Sequence, residues 1–430
     1  MRHSVNDVRW FSFSFLIVMC CIAASAQEPV LKERLLILNE GLWQSNNARI
    51  SYFEDGQVIS DRWFEEANGY GIGDTPNDII QVGENLIAIA VNGSNIIQYV
   101  NTDGIAVAAT EDVPNNRRLA TDGEYLYVTS YAHECSTADG LWQCTKGFVA
   151  KIDLTTFQVV KCCEVGYEPE GIACYNGCLF VANTGGYSYE GHDYESTVSI
   201  IDSETMTKIR DVDTGVINLY GNMSQTGRYL CINSTGDYFE RPACSLVMDC
   251  CKAIAGNDEC FIVIDGVPAT YNCATTDGRF FAIGSSFNYV TYDYDISTAL
   301  IDPEIIFDTN GVEGLGDCLP GTVSDDIRTM VASPYGIYVN PYSGYIYVAD
   351  ASDYCSPGKL HQWTPQGCYA GSFTVYINPG HFLALGDWTP AGIAPVSGIS
   401  TSSIWNLQGM EVPPTAAGIL ITNGRKYISR

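Results

Sequence analysis

The chain has 430 residues, 46% hydrophobic and 17% charged, with a formal net charge of −28. The apolar content supports a sizeable core and excludes a disordered chain. The acidic balance argues against nucleic acid and anionic lipid as partners, since both need basic patches.

Residues 1–26 read as a secretory signal. Arg2, His3 and Arg9 make a basic start, residues 10–24 an apolar run, and Ala24-Ser25-Ala26 a cleavage site before Gln27. The run is short for a membrane span of ~20 residues. A lipoprotein signal at Cys20 or Cys21 is the rival reading, weakened by the bulky Met19 before it. No later apolar run is long enough to span a membrane. The expected location is therefore exported: cell surface, outer membrane, extracellular medium or periplasm.

From residue 27 to about 390 the chain reads as one all-β unit, a seven-bladed β-propeller of four-stranded antiparallel blades. Forty-one glycines and 27 tyrosines suit short strands joined by tight turns. The clearest blade begins at Pro169. GIACY is a strand, Asn176-Gly177 a two-residue turn in which both positions tolerate positive φ, and LFVAN the return strand. After a long loop, a third strand from Thr197 to Asp202 and a fourth from Thr207 complete the unit. Four such strands cannot cover both their faces alone, so the unit must stack on copies of itself. Degenerate copies occur: IIQVGENLIAIAV, RLATDGEYLYVTSY, LYGNMSQTGRYLCIN, YNCATTDGRFFAIG and SPYGIYVNPYSGYIYVAD. The expected blades are about 33–75, 76–113, 114–166, 167–215, 216–262, 263–325 and 326–386. Closure is expected from strands of both ends of the chain, which removes exposed edges.

Seventeen cysteines less Cys20 and Cys21 leave 15, an odd number in a chain expected to be exported. Cys135 with Cys144, and Cys355 with Cys368, are the candidate disulfides. Cys174 and Cys178 should not bond, because the Asn176-Gly177 turn pairs Tyr175 with Cys178 and turns Cys174 to the other face. The adjacent pairs Cys162-Cys163 and Cys250-Cys251 should alternate faces in strands. No zinc-type spacing of cysteines and no acidic calcium loop occurs.

Three runs carry a family resemblance: LLILNEGLWQSNNARISYF, GYGIGDTPND and ASPYGIYVNPYSGYIYVADASDYCSPGKLHQW. Over residues 33–385 they resemble the YncE-like (YVTN-type) propellers of Bacteroidetes cell-surface proteins. The resemblance implies a seven-bladed ring. Some members of that family capture cobalamin beside outer-membrane transporters, but no cobalamin-specific residue set is recognised here. Residues 398–430, including SSIWNLQGMEVPPTAAGILITNGRKYISR, resemble the end of a type IX secretion sorting domain. A full sorting domain is much longer, and the alternative reading is a small hairpin turning at Asn423-Gly424.

Function in propellers is usually grafted onto the loops of one face and onto the channel mouth. Three successive loops, 130–147, 184–196 and 234–243, are long and aromatic. With blades six and seven they place Tyr131, Trp142, Tyr187, Tyr189, Asp193, Tyr194, Tyr238, Tyr289 and Tyr354 on the expected ligand face. Aromatic rings with polar tips suit a sugar face or a flat macrocycle. The channel-lining candidates are Asp74, Arg117, Arg118 and Glu170, joined by Asn77, Asn222 and Tyr335 at the starts of the inner strands. The expectation is a non-catalytic binding propeller without a cofactor or bound metal. Its ligand is a small molecule or glycan, with cobalamin included, and an outer-membrane transporter is a candidate partner. A protein-interaction or adhesion scaffold and a metal-dependent lactonase are the alternatives, the latter drawing on Glu170, Asn183 and Asp350. No G-x-S-x-G, H-E-x-x-H or phosphate loop is present.

Overall fold

The computed structural model describes residues 33–132, 145–186, 192–237, 240–264, 267, 270–288, 293–311, 313–316 and 318–386, with four short strands between 404 and 429. Seven four-stranded antiparallel sheets form a β-propeller. Strands β1 (Arg34–Asn39), β2 (Arg49–Glu54) and β3 (Gln57–Ser60) open blade one. Blade two is β4 (Pro76–Gly83), β5 (Leu86–Val91), β6 (Ile96–Val100) and β7 (Ala106–Thr110). Blade three is β8 (Asn116–Thr121), β9 (Tyr125–Ser130), β10 (Phe148–Asp153) and β11 (Gln158–Glu164). Blade four is β12 (Pro169–Tyr175), β13 (Cys178–Asn183), β14 (Thr197–Asp202) and β15 (Thr207–Asp213). Blade five is β16 (Met223–Thr226), β17 (Tyr229–Ser234), β18 (Cys244–Asp249) and β19 (Phe261–Ile264). Blade six is β20 (Tyr271–Ala274), β21 (Phe280–Asn288), β22 (Asp293–Ile301) and the two-residue β23 (Leu315–Gly316). Blade seven is β24 (Pro334–Val339), β25 (Ile346–Asp350), β26 (Lys359–Trp363) and β27 (Tyr369–Thr374). The last ring strand, β28 (Pro379–Ala384), pairs with β1 and becomes the inner strand of blade one.

The burial of each strand follows its place in the blade. The second strands are covered on both faces, so LIAIAV of β5 and CLFVAN of β13 are nearly continuous apolar runs. The fourth strands face solvent on one side. TKIRDVD of β15 therefore alternates exposed and covered positions. At the hairpin between β12 and β13, Asn176 (φ 49°) and Gly177 (φ 76°) both sit in the left-handed region, and Tyr175 pairs with Cys178.

Seven apolar clusters fill the seven seams between neighbouring blades. One joins Phe180 and Val198 of blade four to Leu230 and Leu246 of blade five. Another joins Leu35, Ile37 and Phe53 of blade one to Tyr347 and Leu360 of blade seven, across the closure. Each inner strand also lies against the next, from β4 to β8 and onward through β24 to β28 and back to β4. Every inner strand is hydrogen-bonded on one side only, so seven backbone edges face the axis.

Two cysteine expectations are corrected. Cys250 and Cys251 are not in a strand: they begin the helix α2 (Cys250–Ile254). The Asp249 carboxylate accepts from the N–H of Cys251 (2.9 Å) and Lys252 (3.2 Å), capping that helix before a strand can continue. Cys355 and Cys368 are both unbonded. Cys355 precedes β26 and Cys368 closes the turn after it, so the five residues of β26 separate them by roughly 17 Å at about 3.3 Å per residue. A disulfide cannot span that distance. Cys135 and Cys144 lie outside the described residues.

The expected hairpin near the end of the chain is part of a larger sheet. Strands β29 (Ile404–Asn406), β30 (Glu411–Val412), β31 (Gly418–Thr422) and β32 (Arg425–Ser429) pair in the order β30-β29-β31-β32, with β31 and β32 joined across 423–424.

Candidate functional site

In five of the seven blades the strand ladder slips at the start of the inner strand. The slips fall between Pro76 and Asp78, Asn116 and Leu119, Pro169 and Ile172, and Pro334 and Gly336. In blade one the slip falls between Leu38 and Asn39, opposite His381 and Pro379. A bulge re-aims the side chain of the extra residue. Here the residues at the slips are Asn77, Arg117, Arg118, Glu170 and Tyr335, with His381 beside Gly380. These side chains converge at one end of the channel.

Close approach of the inner strands is part of the design. A Cβ on Gly171 would stand 2.8 Å from Met223 Cβ, and one on Gly336 would stand 2.8 Å from the Gly380 carbonyl. Glycine after Pro-Glu and Pro-Tyr therefore lets the neighbouring inner strand pack directly against the bulge.

The converging groups form one network. Arg117 Nε donates to Glu170 Oε1 at 2.7 Å, and its Nη2 donates to the Tyr220 hydroxyl at 3.3 Å. Its Nη1 reaches the Asn77 side-chain oxygen at 3.0 Å when that amide is oriented to donate to the Thr75 carbonyl. Tyr131 donates its hydroxyl proton to Glu170, and its ring lies 4.9 Å from the Arg117 guanidinium. Arg118 Nε lies 3.6 Å from Glu170 Oε2. Arg118 Nη1 donates to the Asn77 carbonyl and contacts His381 Nδ1 at 3.1 Å.

A guanidinium can only donate, so His381 Nδ1 accepts from Arg118. The ring proton then sits on Nε2, which donates to Glu40 Oε1 at 3.1 Å. Tyr335 donates to the other Glu40 oxygen at 2.7 Å. Burial opposes the charge on Glu40, but the hydrogen bonds from His381 and Tyr335 and the nearby Arg118 outweigh it and hold the carboxyl below its ordinary value. Tyr335 and Tyr271 are pushed well above the usual phenol range, first by burial and then by the Glu40 charge. Two arginines thus face two carboxylates in the channel, and the cluster carries no net charge beyond that balance.

Tyrosines ring the solvent side of this cluster. Tyr335 packs 5.9 Å from Tyr271 and 5.8 Å from Tyr354, centroid to centroid. Tyr354 is 48% exposed and Tyr220 37% exposed. Behind them lies a cavity of about 370 Å³ bordered by all seven inner strands. Arg118, His381, Tyr271 and Asn222 border it at the cluster end, and Ile80, Ala274, Val339 and Pro341 further along.

The predicted site residues separate accordingly. Arg117, Arg118 and Glu170 stand together in the network. Tyr131 was expected on the ligand face, but it is 1% exposed and belongs to the floor of the channel mouth. Asp74 was expected in the channel, but it serves a turn: its carboxylate accepts from Thr75 Oγ1 at 2.8 Å and its carbonyl from the Gly93 N–H at 3.0 Å. The backbone demand of the 73–75 turn, with Thr75 at φ 46°, holds it there. Tyr354 stands at the mouth. Asp193 is exposed and Tyr194 half-buried in the loop after β13. Trp142, Tyr187, Tyr189, Tyr238 and Tyr289 lie outside the described residues.

Glu170, Asn183 and Asp350 are engaged separately. Asn183 accepts from the Gly166 N–H at 3.0 Å and donates to Thr197 and Ser199. Asp350 accepts from the N–H groups of Ala332, Ser333 and Ser352 at 2.8–3.1 Å. Both are strand-end caps. Among the described residues no group of three or more His, Cys, Asp and Glu is placed to hold a metal ion.

Glu40, Tyr220, Tyr271, Asn272 and His381 were not singled out in the sequence. Glu40 and His381 are 341 residues apart and meet only because the ring closes. The prolines that begin β4, β12, β24 and β28 mark the position that His381 follows, but nothing comparable marks Glu40.

No protein-family model matches the chain, and no curated protein matches it. Solved structures do resemble it. Hydrazine synthase of Kuenenia stuttgartiensis aligns with a TM-score of 0.52 at 14% identity, over 71% of this chain and 88% of that one. A quinoprotein alcohol dehydrogenase-like protein of Bacteroides thetaiotaomicron aligns with a TM-score of 0.50 at 12% identity, over 83% of this chain and 78% of that one. At these identities the likeness is one of fold, the propeller.

Proposed function

We propose that this propeller is a non-catalytic binding protein that captures a nutrient glycan at the mouth of its channel. One observation carries the reading: Tyr220, Tyr271, Tyr335 and Tyr354 surround a buried floor of Arg117, Arg118, Glu170, His381 and Glu40. Aromatic walls accept the C–H face of a pyranose, and a floor of fixed donors and acceptors reads hydroxyls. The floor's charged groups are held by one another, which suits binding rather than bond-breaking.

In this reading the protein is exported behind the 1–26 signal and displayed at the cell surface, like the YncE-like propellers it resembles. An outer-membrane transporter is then the natural recipient of the ligand. Cobalamin is the second ligand class. It is favoured by the resemblance, and it would lie across the tyrosine rim rather than within the channel.

Calorimetric titration of the purified chain with oligosaccharides and cyanocobalamin tests the proposal. We expect binding to a glycan and loss of at least about tenfold in affinity in Tyr354→Ala, since truncating an aromatic anchor of a binding site costs about 2 kcal/mol or more and every 1.4 kcal/mol is about tenfold. Binding of cyanocobalamin alone would transfer the site to the corrinoid, and no response to either class would sink the capture reading.

A further inference from the structure

Asn272 is the second residue of the inner strand β20 and borders the central cavity. It is 1% exposed. Neither its side-chain oxygen nor its side-chain nitrogen has a hydrogen-bond partner in the protein. A buried amide left in this condition costs about 1–3 kcal/mol per group. Its backbone, by contrast, is fully used: the carbonyl accepts from Asn222 Nδ2 at 2.7 Å and Ser224 Oγ at 3.1 Å, which fixes the strand beneath the amide. An uncommitted amide is thus mounted on a rigid inner strand, at a cavity of small-ligand size.

Further around the channel, Glu170 Oε2 and Arg118 Nε stand 3.6 Å apart, and neither makes a hydrogen bond. Both positions share one property. Each sets an acceptor beside a donor and offers no spare charge.

We infer that the channel selects a neutral sugar, and that Asn272 reads two adjacent hydroxyls of its terminal ring. This rests on the glycan reading of the channel mouth. The chemistry follows from donor and acceptor counting. A vicinal diol donates one O–H to Asn272 Oδ1 and accepts one N–H from Nδ2, so both atoms are satisfied. A carboxylate supplies acceptors only and leaves Oδ1 unpaired. An ammonium supplies donors only and leaves Nδ2 unpaired. Neither ion finds an unpartnered counter-charge: Arg117, Arg118, Glu170 and Glu40 are engaged with one another and with His381 and Tyr335, and the Asp78 carboxylate on the cavity border accepts from the N–H groups of Ile79 and Leu119, both at 2.9 Å. The acidic chain, at −28, opposes anions further. Size agrees: about 370 Å³ is near the lower end of ligand pockets, which run from about 300 to 1,000 Å³. That volume suits a sugar ring and is too small for a corrinoid macrocycle.

The test compares methyl glucoside, galactoside and mannoside with glucuronic acid and glucosamine, by titration against the purified chain and two variants. Asn272→Leu keeps the volume and removes both polar atoms. Tyr354→Ala removes one wall of the mouth. We expect a neutral pyranoside to bind at least about tenfold more tightly than the charged sugars. We expect Asn272→Leu to weaken it at least about tenfold while its ligand-free melting temperature holds or rises, since an unpaired polar group has gone. A charged sugar that binds as well as the neutral one overturns the inference. So does an Asn272→Leu protein that binds normally while Tyr354→Ala does not, and in that case the mouth remains a glycan site. If neither the probes nor longer oligosaccharides bind, the glycan reading falls and takes this inference with it.

Discussion

Glu170 shows how much rests on single side chains in this ring. It is fully buried and takes hydrogen bonds from Arg117 and Tyr131 while facing Arg118. Removing its charge strands two buried guanidinium groups. Glu170→Gln should therefore destabilise the fold by about 3–5 kcal/mol, the usual cost of breaking a buried pair, read as a shift in denaturant midpoint at unchanged slope. A variant as stable as the parent would mean that water already solvates the arginines. Glu40 sets a pH limit. Its carboxyl is held below its ordinary value, so its contribution is complete above the unfolded value of about 4.3 and is lost as pH falls through the lower folded value. Melting temperatures measured from pH 7 to pH 3 should drop below about pH 4. In Glu40→Gln the curve should start lower at pH 7 and lose that part of its acid slope.

At the level of the element, the strands were legible because their chemistry is local. The Asn176-Gly177 turn, the burial of β5 and β13 and the half-exposed β15 all follow from neighbours within a few residues. Gly177→Val places a β-branched residue at φ 76° and should cost roughly 1–2 kcal/mol, measured by thermal or denaturant unfolding. An effect near zero would show that the hairpin adopts another turn type at no cost. The bulges at the inner-strand starts were less legible. They need a count of residues on two paired strands, and sequence spacing gives no such count in a degenerate repeat. That is why Arg117, Arg118 and Glu170 could be placed near the channel while Tyr131 and Asp74 were misassigned. Tyr131 follows β9 directly and swings inward to Glu170, and Asp74 is captured by the tight turn it precedes.

For the whole molecule, closure is the decisive feature. β28 supplies the inner strand of blade one, and the seam between blades one and seven buries Leu35, Phe53, Tyr347 and Leu360. Ending the chain at residue 375 should expose the edge of β1 and abolish a cooperative melting transition. Ending it at 397 removes only strands that pair among themselves, and should leave the melting temperature within about 2 °C. Equal loss in both truncations would mean that the last sheet supports the ring.

Fold class, blade count and the both-ends closure were readable in the order of residues, because strand period, turn chemistry and repetition act over short stretches of chain. The binding floor was not. Glu40 meets His381, Arg118 meets His381, and Tyr335 meets Glu40 across 263 to 341 residues. Those contacts exist because seven inner strands are brought around one axis, and packing around an axis leaves no periodic trace in any one repeat.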